Sequence, residues 1–315
     1  MALTLAQAKA LSQDKLTSSV IDEFRKSALL DSLTFDNTVK PQGGSTLAYV
    51  YNRVTTLPTA AARAINSEYI PQEAVTTPYT VNLKIFGGSF QLDRVIIEYE
   101  TEVVDHTQFQ MQQKIQAAVA LFHDMFINGD SGVDPLQFDG LDKALVGSTT
   151  ELIPGAAINL SSSANMDSNW KVFLDYLRKL RAKLDGAPGI WLMNDEMFAV
   201  YQSVMDRAGI NLTSKENYGT EVLRWGNALA MPLGDKPGTS SPIIPTTAGE
   251  TSIYTARLGL SGVHGVSPTG SKMVKTYLPN LATPGAVKTG EVEMVAALAL
   301  KATRAAGVLR KVKIA

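Results

Sequence analysis

The chain has 315 residues, enough for one large domain or two modest ones whose core needs no metal or disulfide to hold it. Apolar residues make up 45% and charged residues 19%, which excludes a chain kept unfolded by its own charge. With 29 basic and 30 acidic residues the net charge is -1, which argues against a protein that coats nucleic acid over its whole surface, and the absence of cysteine excludes thiolate metal sites and cysteine nucleophiles.

At the N-terminus, "MALTLAQAKALSQDKL" places Lys9 and Asp14 inside what would have to be a signal core, so a soluble protein made in the cytoplasm and without a membrane anchor is expected. From Leu5 to Leu30 the apolar spacing suits short helices, but Ser, Thr and Gln dilute the face. This predicts a helical, loosely anchored arm. The texture then turns to β: "TLAYVYNRV" is aromatic and β-branched, bounded by Gly43-Gly44 and Pro58. The next stretch, "LPTAAARAINSEYIPQEAVTTPY", has no period and is framed by Pro58, Pro71 and Pro78; a long irregular excursion of this kind usually has a job. "TVNLKIFGGSFQLDRVI" alternates on both sides of Gly87-Gly88 and predicts two strands with a turn or kink between them.

Behind Asp105, the residues Ile115, Ala118, Val119, Phe122, Met125 and Phe126 recur at helical steps, predicting one helix to about Asn128. Asn128-Gly129 suits its end, because both residues tolerate the left-handed conformation that terminates helices. The stretch that follows carries Asp130, Asp134 and Asp139, with His123 and Asp124 just before it. Consecutive helix residues point about 100° apart, so His123 and Asp124 do not converge on one ion. The aspartates lack the one-residue gaps and closing Glu of a calcium loop. No metal or cofactor is expected.

"DSNWKVFLDYLRKLRAKLDGAPG", "IWLM" and "NDEMFAVYQSVMDRAG" then read as helix, buried strand and helix, the last capped by Asn194. Short strands follow, "VLRWGNALAMPL" and "TSIYTARLGLSGV", and the C-terminal "GEVEMVAALALKATRAAGVLRKVKI" reads mostly as strand. Its basic residues Arg304, Arg310, Lys311 and Lys313 have no acid among them; a solvated strand end is the plain reading and contact with a polyanion the second. The chain has no Gly-Lys dipeptide, no Gly-x-Ser-x-Gly and no His-Glu-x-x-His, and its three histidines share no ligand spacing. This points away from an enzyme.

The order of arm, Pro-framed β excursion, "VNLKIFGGSFQLDRVI", one long helix, "FINGDSGVDPLQFDGLDKAL" and then an α/β unit resembles the major capsid protein of tailed double-stranded DNA bacteriophages, the Hong Kong 97 type shell. Asn128-Gly129-Asp130 with the later Gly140-Leu141 is the most specific piece. The resemblance implies an α+β fold: an arm over 1–44, an extended E-loop over 45–80, a peripheral domain over 81–138 and 278–315 with a spine helix at 105–128, and an axial domain over 139–277. Arg63, Tyr69, Ile70 and Pro71 would sit on the E-loop and touch a neighbouring subunit. Asn128, Gly129, Asp130 and Gly140 would form the joint between spine and axial domain, and Arg304, Arg310, Lys311 and Lys313 an inner basic strand.

It further implies hexamers and pentamers closing an icosahedral shell around packaged DNA held by non-specific contacts, a virion assembled in the host cytoplasm, and portal and decoration proteins as partners. Relatives that cross-link use a lysine near the E-loop tip, whereas Lys84 is the only lysine between Pro41 and Asp105 and sits on a strand, so no covalent cross-linking is expected. The first strand is expected near Thr46, so the long N-terminal scaffolding segment of some relatives is not expected here, and assembly would need a separate scaffold or use the arm itself. The rival of the same fold is an encapsulin, a bacterial compartment shell around an enzyme. The rival of another class is a soluble α/β hydrolase or ligand-binding protein using Asp130, Asp134 and Asp139.

Overall fold

The computed structural model describes residues 28–39, 47–56, 58–94, 97, 103–210, 213–217, 220–269 and 274–315. The arm expected over Leu5 to Leu30 therefore lies mostly outside the described residues. Its last part is not loose. Helix α1 (Ala28–Ser32) and strand β1 (Phe35–Val39) bury Leu29, Leu30, Leu33 and Val39, because β1 pairs in parallel with β12 (Val263–Pro268) as an edge strand.

Two sheets organise the chain. The first has five strands built on β14 (Val287–Leu300), which pairs along one edge with β4 (Lys84–Asp93) and along the other with β13 (Val274–Tyr277) and then β12. Helix α2 (Val103–Asn128) lies across it. All six apolar positions predicted from the helical period are buried in, or packed against, this core. Phe122 is the hub: its ring lies 5.9 to 6.3 Å from those of Phe138, Phe86, Phe126 and Phe35, so helix, sheet, arm and the following loop meet on one side chain. Its removal would cost about 3–5 kcal/mol.

Gly87-Gly88 is not a turn. β4 runs straight through the pair, because a Cβ at Gly87 would stand 1.9 Å from Val292 O, so glycine allows two strands to approach rather than the chain to reverse.

The second sheet has eight strands: β5 (Glu151–Leu152) and β6 (Ile158–Asn159) beside β15 (Ala306–Lys313), then β11 (Glu250–Ala256), β7 (Ile190–Met193), β10 (Ala228–Pro232), β9 (Thr220–Trp225) and β8 (Thr213–Asn217). Helices α4 (Ser163–Lys183) and α5 (Asp195–Arg207) pack on one face, and the short α3 (Leu141–Leu145) belongs to the core on the other. This explains why "IWLM" is apolar throughout: successive strand residues face opposite ways, Ile190 and Leu192 into the first core, Trp191 and Met193 into the second. Both helix starts are capped as their sequences ask, by Ser162 Oγ accepting from Asn165 N–H and by Asn194 Oδ1 accepting from Met197 N–H.

Two boundaries differ from the expected domains. β12 and β13, at 263–277, belong to the first sheet rather than to an axial domain ending at 277. β15 crosses into the second sheet, although the C-terminal strand was expected beside the spine. The long run 287–313 divides at a single 3-10 turn, Thr303–Ala305, inside an alanine-rich stretch that carries no turn residue to announce it.

Candidate functional site: a projecting hairpin and its joint

The excursion predicted between the first strands is a two-stranded antiparallel hairpin, β2 (Ala48–Thr56) against β3 (Val75–Asn82), whose register runs from Ala48 opposite Asn82 to Thr56 opposite Val75. Pro78 fits because it occupies a two-stranded ribbon, where a lost donor costs least. At the base, Leu83 N–H donates to Leu47 O at 2.7 Å and Tyr51 OH donates to Leu300 O at 2.7 Å. The Arg53 guanidinium donates to the same carbonyl and lies 4.2 Å from the centre of the Tyr79 ring, which in turn stacks on Tyr51. Tyr49 OH donates to Asp36 at 2.9 Å, while its ring receives Lys301 on its face at 5.5 Å and sits edge to face with His264. The hairpin is thus latched to β1, β12 and the end of β14.

Beyond Thr56 the hairpin packs against no other element among the described residues. Every residue from 58 to 74 is exposed, and Ile65 (92%), Ile70 (84%) and Tyr69 (61%) stand in water. The segment is held by itself: Thr59 N–H on Gln72 Oε1, Arg63 Nη1 on Ser67 O, Ser67 N–H on Ala64 O, with Asn66 left-handed at φ 67°. The Arg63 guanidinium also lies 5.5 Å from the centre of the Tyr69 ring, so Arg63, Tyr69, Ile70 and Pro71 share one exposed tip. Sequence reasoning missed Ile65, whose signal was an aliphatic residue in an aperiodic, proline-framed stretch with no core to enter.

At the other end of the spine, the residues predicted as a joint come together for a different reason from the expected one. Neither Asn128 nor Gly129 has a positive φ. A Cβ at Gly129 would lie 2.2 Å from Phe138 O, one at Gly140 would lie 2.5 Å from Ile127 O, and Gly140 N–H donates to Gly129 O at 2.8 Å. The two glycines let the loop close back onto the helix end. Asn128 Nδ2 donates to Asp124 Oδ1 and to Ile243 O, both at 2.7 Å, which ties the spine to the loop leading into β11.

The aspartates of the loop are spent on the loop itself. Asp130 Oδ1 accepts from Gly132 N–H and from Lys143 Nζ; Asp139 Oδ1 accepts from Ser131 N–H and Lys143 Nζ; Asp134 accepts from Leu136 N–H and Gln137. Lys143, then the Gly132 amide, holds the Asp130 carboxyl below its usual range. At Asp139 burial pulls the other way, but Lys143 and Ser131 together keep it low. Among the described residues no group of acids or histidines is placed to hold a metal ion. His123 is pushed down to about 4 by burial, which makes it a neutral packing side chain at neutral pH. Lys84 sits on β4 rather than on the hairpin tip and donates to Pro135 O at 2.6 Å.

The four basic residues of the C-terminal stretch do not form one surface. Arg310 pairs with Glu151 and, at 2.8 Å, with Asp142, whose other contact is Tyr254 OH at 2.7 Å. This cluster stitches α3 and β5 to β11 and β15, and it leaves Arg310 no free charge for a polyanion. A bulge at Lys311 (φ 56°), opposite a register shift between Thr251 and Ile253, breaks the alternation that would have aligned the rest. Arg304 lies apart, exposed on the 3-10 turn, with Nε on Lys183 O.

No family model matches the sequence, and no curated protein does. Solved structures do match. The SrpI encapsulin of Synechococcus elongatus PCC 7942, from a cryo-EM structure of its holo complex, superposes at TM-score 0.60 with 17% identity, covering 90% of this chain and 87% of that one. The capsid of the native GTA particle superposes at 0.60 with 12% identity over 91% and 90%, and the capsid of Myoviridae phage XM1 at 0.54 with 10% identity over 91% and 92%. The chain has the α+β shell fold, of Hong Kong 97 type, that these capsid and encapsulin structures share.

Proposed function

We propose that the chain is the major capsid protein of a tailed double-stranded DNA phage, closing into an icosahedral shell of hexamers and pentamers around packaged DNA. One observation carries this reading. A segment of the chain, 58–74, holds three large apolar side chains in water on a hairpin that is firmly latched at its base, so the subunit is complete only when something covers the tip. A second copy is the natural cover, because repeating one such contact around a symmetric ring closes a shell without any single strong interface. The hairpin would serve as the E-loop, the first sheet with α2 as the peripheral body, and the second sheet with α4 and α5 as the axial unit. Separate scaffold, portal and decoration proteins would be partners, and the site of assembly the host cytoplasm. Among the described residues no helix is long and apolar enough to cross a membrane.

Sedimentation of the full chain with negative-stain imaging of any fast fraction tests the proposal. Closed particles of megadalton mass support it; a species at monomer mass, still unassembled after co-expression with neighbouring genes, refutes it. The encapsulin likeness at TM-score 0.60 favours a second reading, a compartment shell around an enzyme. Particles isolated from their native source with a protein cargo and no nucleic acid would select that reading.

A further inference from the structure

Buried polar side chains nearly always find a hydrogen-bond partner, and one at the root of the hairpin does not. His264, on β12, is 0% exposed, and neither of its ring nitrogens makes a hydrogen bond. An apolar residue would fill the place without leaving two nitrogens dry. What surrounds the ring is the latch itself. From β2, the Tyr49 ring stands edge to face with it at 5.8 Å. From β1, Asp36 accepts the Tyr49 hydroxyl at 2.9 Å, and just after β14 the Lys301 ammonium lies 5.5 Å from the centre of the Tyr49 ring. These are the charged and titratable groups that face His264 from the elements packed on it. Burial first and Lys301 second hold its pKa below the usual 6.5, against the pull of Asp36 and of the Gly262 backbone. The other half of the latch, Tyr51 and Arg53 on Leu300 O, contains no histidine and no carboxylate.

We propose that His264 is a proton-operated catch on the hairpin: with the ring neutral, Asp36 and Lys301 seat Tyr49, and with the ring protonated the imidazolium takes Asp36, repels Lys301 and lets the root of β2 go. A buried imidazolium without an acceptor is costly, and Asp36 is the carboxylate that already acts on it. To reach that acceptor the ring must turn past the Tyr49 ring it meets edge on. The charge it gains also opposes the ammonium resting on that same tyrosine, so one proton disturbs both contacts that hold Tyr49. The hairpin then loosens on its β1 side and stays attached through Leu300 O. The catch is a property of the single subunit, and it touches the shell reading only because this hairpin presents the exposed tip.

The test is backbone hydrogen exchange of the full-length unassembled chain, read by mass spectrometry at about pH 7.5 and about pH 5.5 with rates corrected for the intrinsic effect of pH. In peptides from 48–56 and 75–83 exchange should quicken at the lower pH by up to about tenfold, the rise open to one group that binds its proton near 6.5 once released. His264→Gln should abolish that response and His123→Gln should keep it. Lys301→Met, which removes the repulsion, should move the response to higher pH; Asp36→Asn should quicken exchange at both pH values and leave little further rise. A wild-type hairpin with no response overturns the proposal. So does a response that persists in His264→Gln or disappears in His123→Gln, since the latter would be general unfolding. Should His264→Gln fail to fold, a pH response in Lys301→Met and Asp36→Asn equal to that of wild type overturns it as well. Particle yield is scored separately. A hairpin that loosens in acid on a chain that never assembles would leave the catch and sink the shell reading, and normal particles from a chain whose hairpin ignores pH would do the reverse.

Discussion

The hairpin tip and the spine joint are both irregular, both rich in Gly, Pro and polar residues, and both looked from sequence like places where something binds. In the joint, polar groups have internal partners: Asp130 and Asp139 share Lys143 and accept backbone amides, Asp134 accepts from Leu136 N–H and Gln137, Asn128 donates to Asp124 and to Ile243 O, and two glycines exist only because backbones touch. In the tip, the hydrogen bonds are local, Tyr69 has only the neighbouring Arg63 guanidinium, and Ile65 and Ile70 pack on no core among the described residues. The difference teaches which kind of irregular segment belongs to the fold and which to an assembly: satisfied polarity marks a joint, and unsatisfied apolar surface on a rigid support marks a contact.

The comparison is sharpest if the two regions respond oppositely to mutation. Replacing residues 59–73 with a short Gly-Ser link should abolish particles while leaving the subunit's melting temperature within about a degree, since nothing of the core is removed; melting and particle yield are read on the same preparation. A large fall in melting temperature would mean the tip is part of the fold. Gly129→Ala should do the reverse, costing about 3 kcal/mol by forcing a Cβ against Phe138 O and measurable as a lowered denaturation midpoint. Arg310→Ala, which strands Glu151 and Asp142 between the layers, should cost about 2 kcal/mol, less than a fully buried pair because the cluster is partly open to water.

Acid should weaken the body and spare the tip. His123 and His264 are both held neutral by burial, His123 down to about 4. The unfolded chain binds these protons near 6.5 and the folded one only at lower pH, so their contribution is complete above about 6.5 and is lost as pH falls below it, for His123 as pH falls toward 4. Between about pH 7 and 5 His123 alone should cost about 2 kcal/mol, checked by urea midpoints at the two pH values, and His123→Gln should flatten the change. The smallest effect on the subunit belongs to Ile65→Ser/Ile70→Ser: within about 0.5 kcal/mol of wild-type stability, but with particle yield sharply reduced.

Much of the fold was legible because its signals are local. The spine helix, α4, "IWLM" and the Asn194 cap follow from periodicity and cap chemistry within a few residues. What could not be read depends on distant backbone. Gly87 is a glycine because of Val292, and Gly129 because of Phe138, so both were given conformational explanations when the cause was crowding. The passage of β15 into the second sheet rests on pairing with β11, more than fifty residues earlier in places, and nothing at Ala302–Ala306 signals the break. Tyr69, Ile70 and Pro71 could be placed on an exposed segment because proline framing marks a stretch with no core to enter. Arg310 was misjudged because its partners, Asp142 and Glu151, are far away in sequence.

The most direct test of the account is hydroxyl-radical footprinting of Tyr69 and Ile70 in the unassembled subunit and in the fast-sedimenting fraction of the same chain. The account predicts strong labelling of both side chains in the subunit and protection in the particle, with Phe122 unlabelled in either state. Equal labelling of the tip in subunit and particle would contradict it, since a segment that remains in water after assembly cannot be what joins one copy to the next.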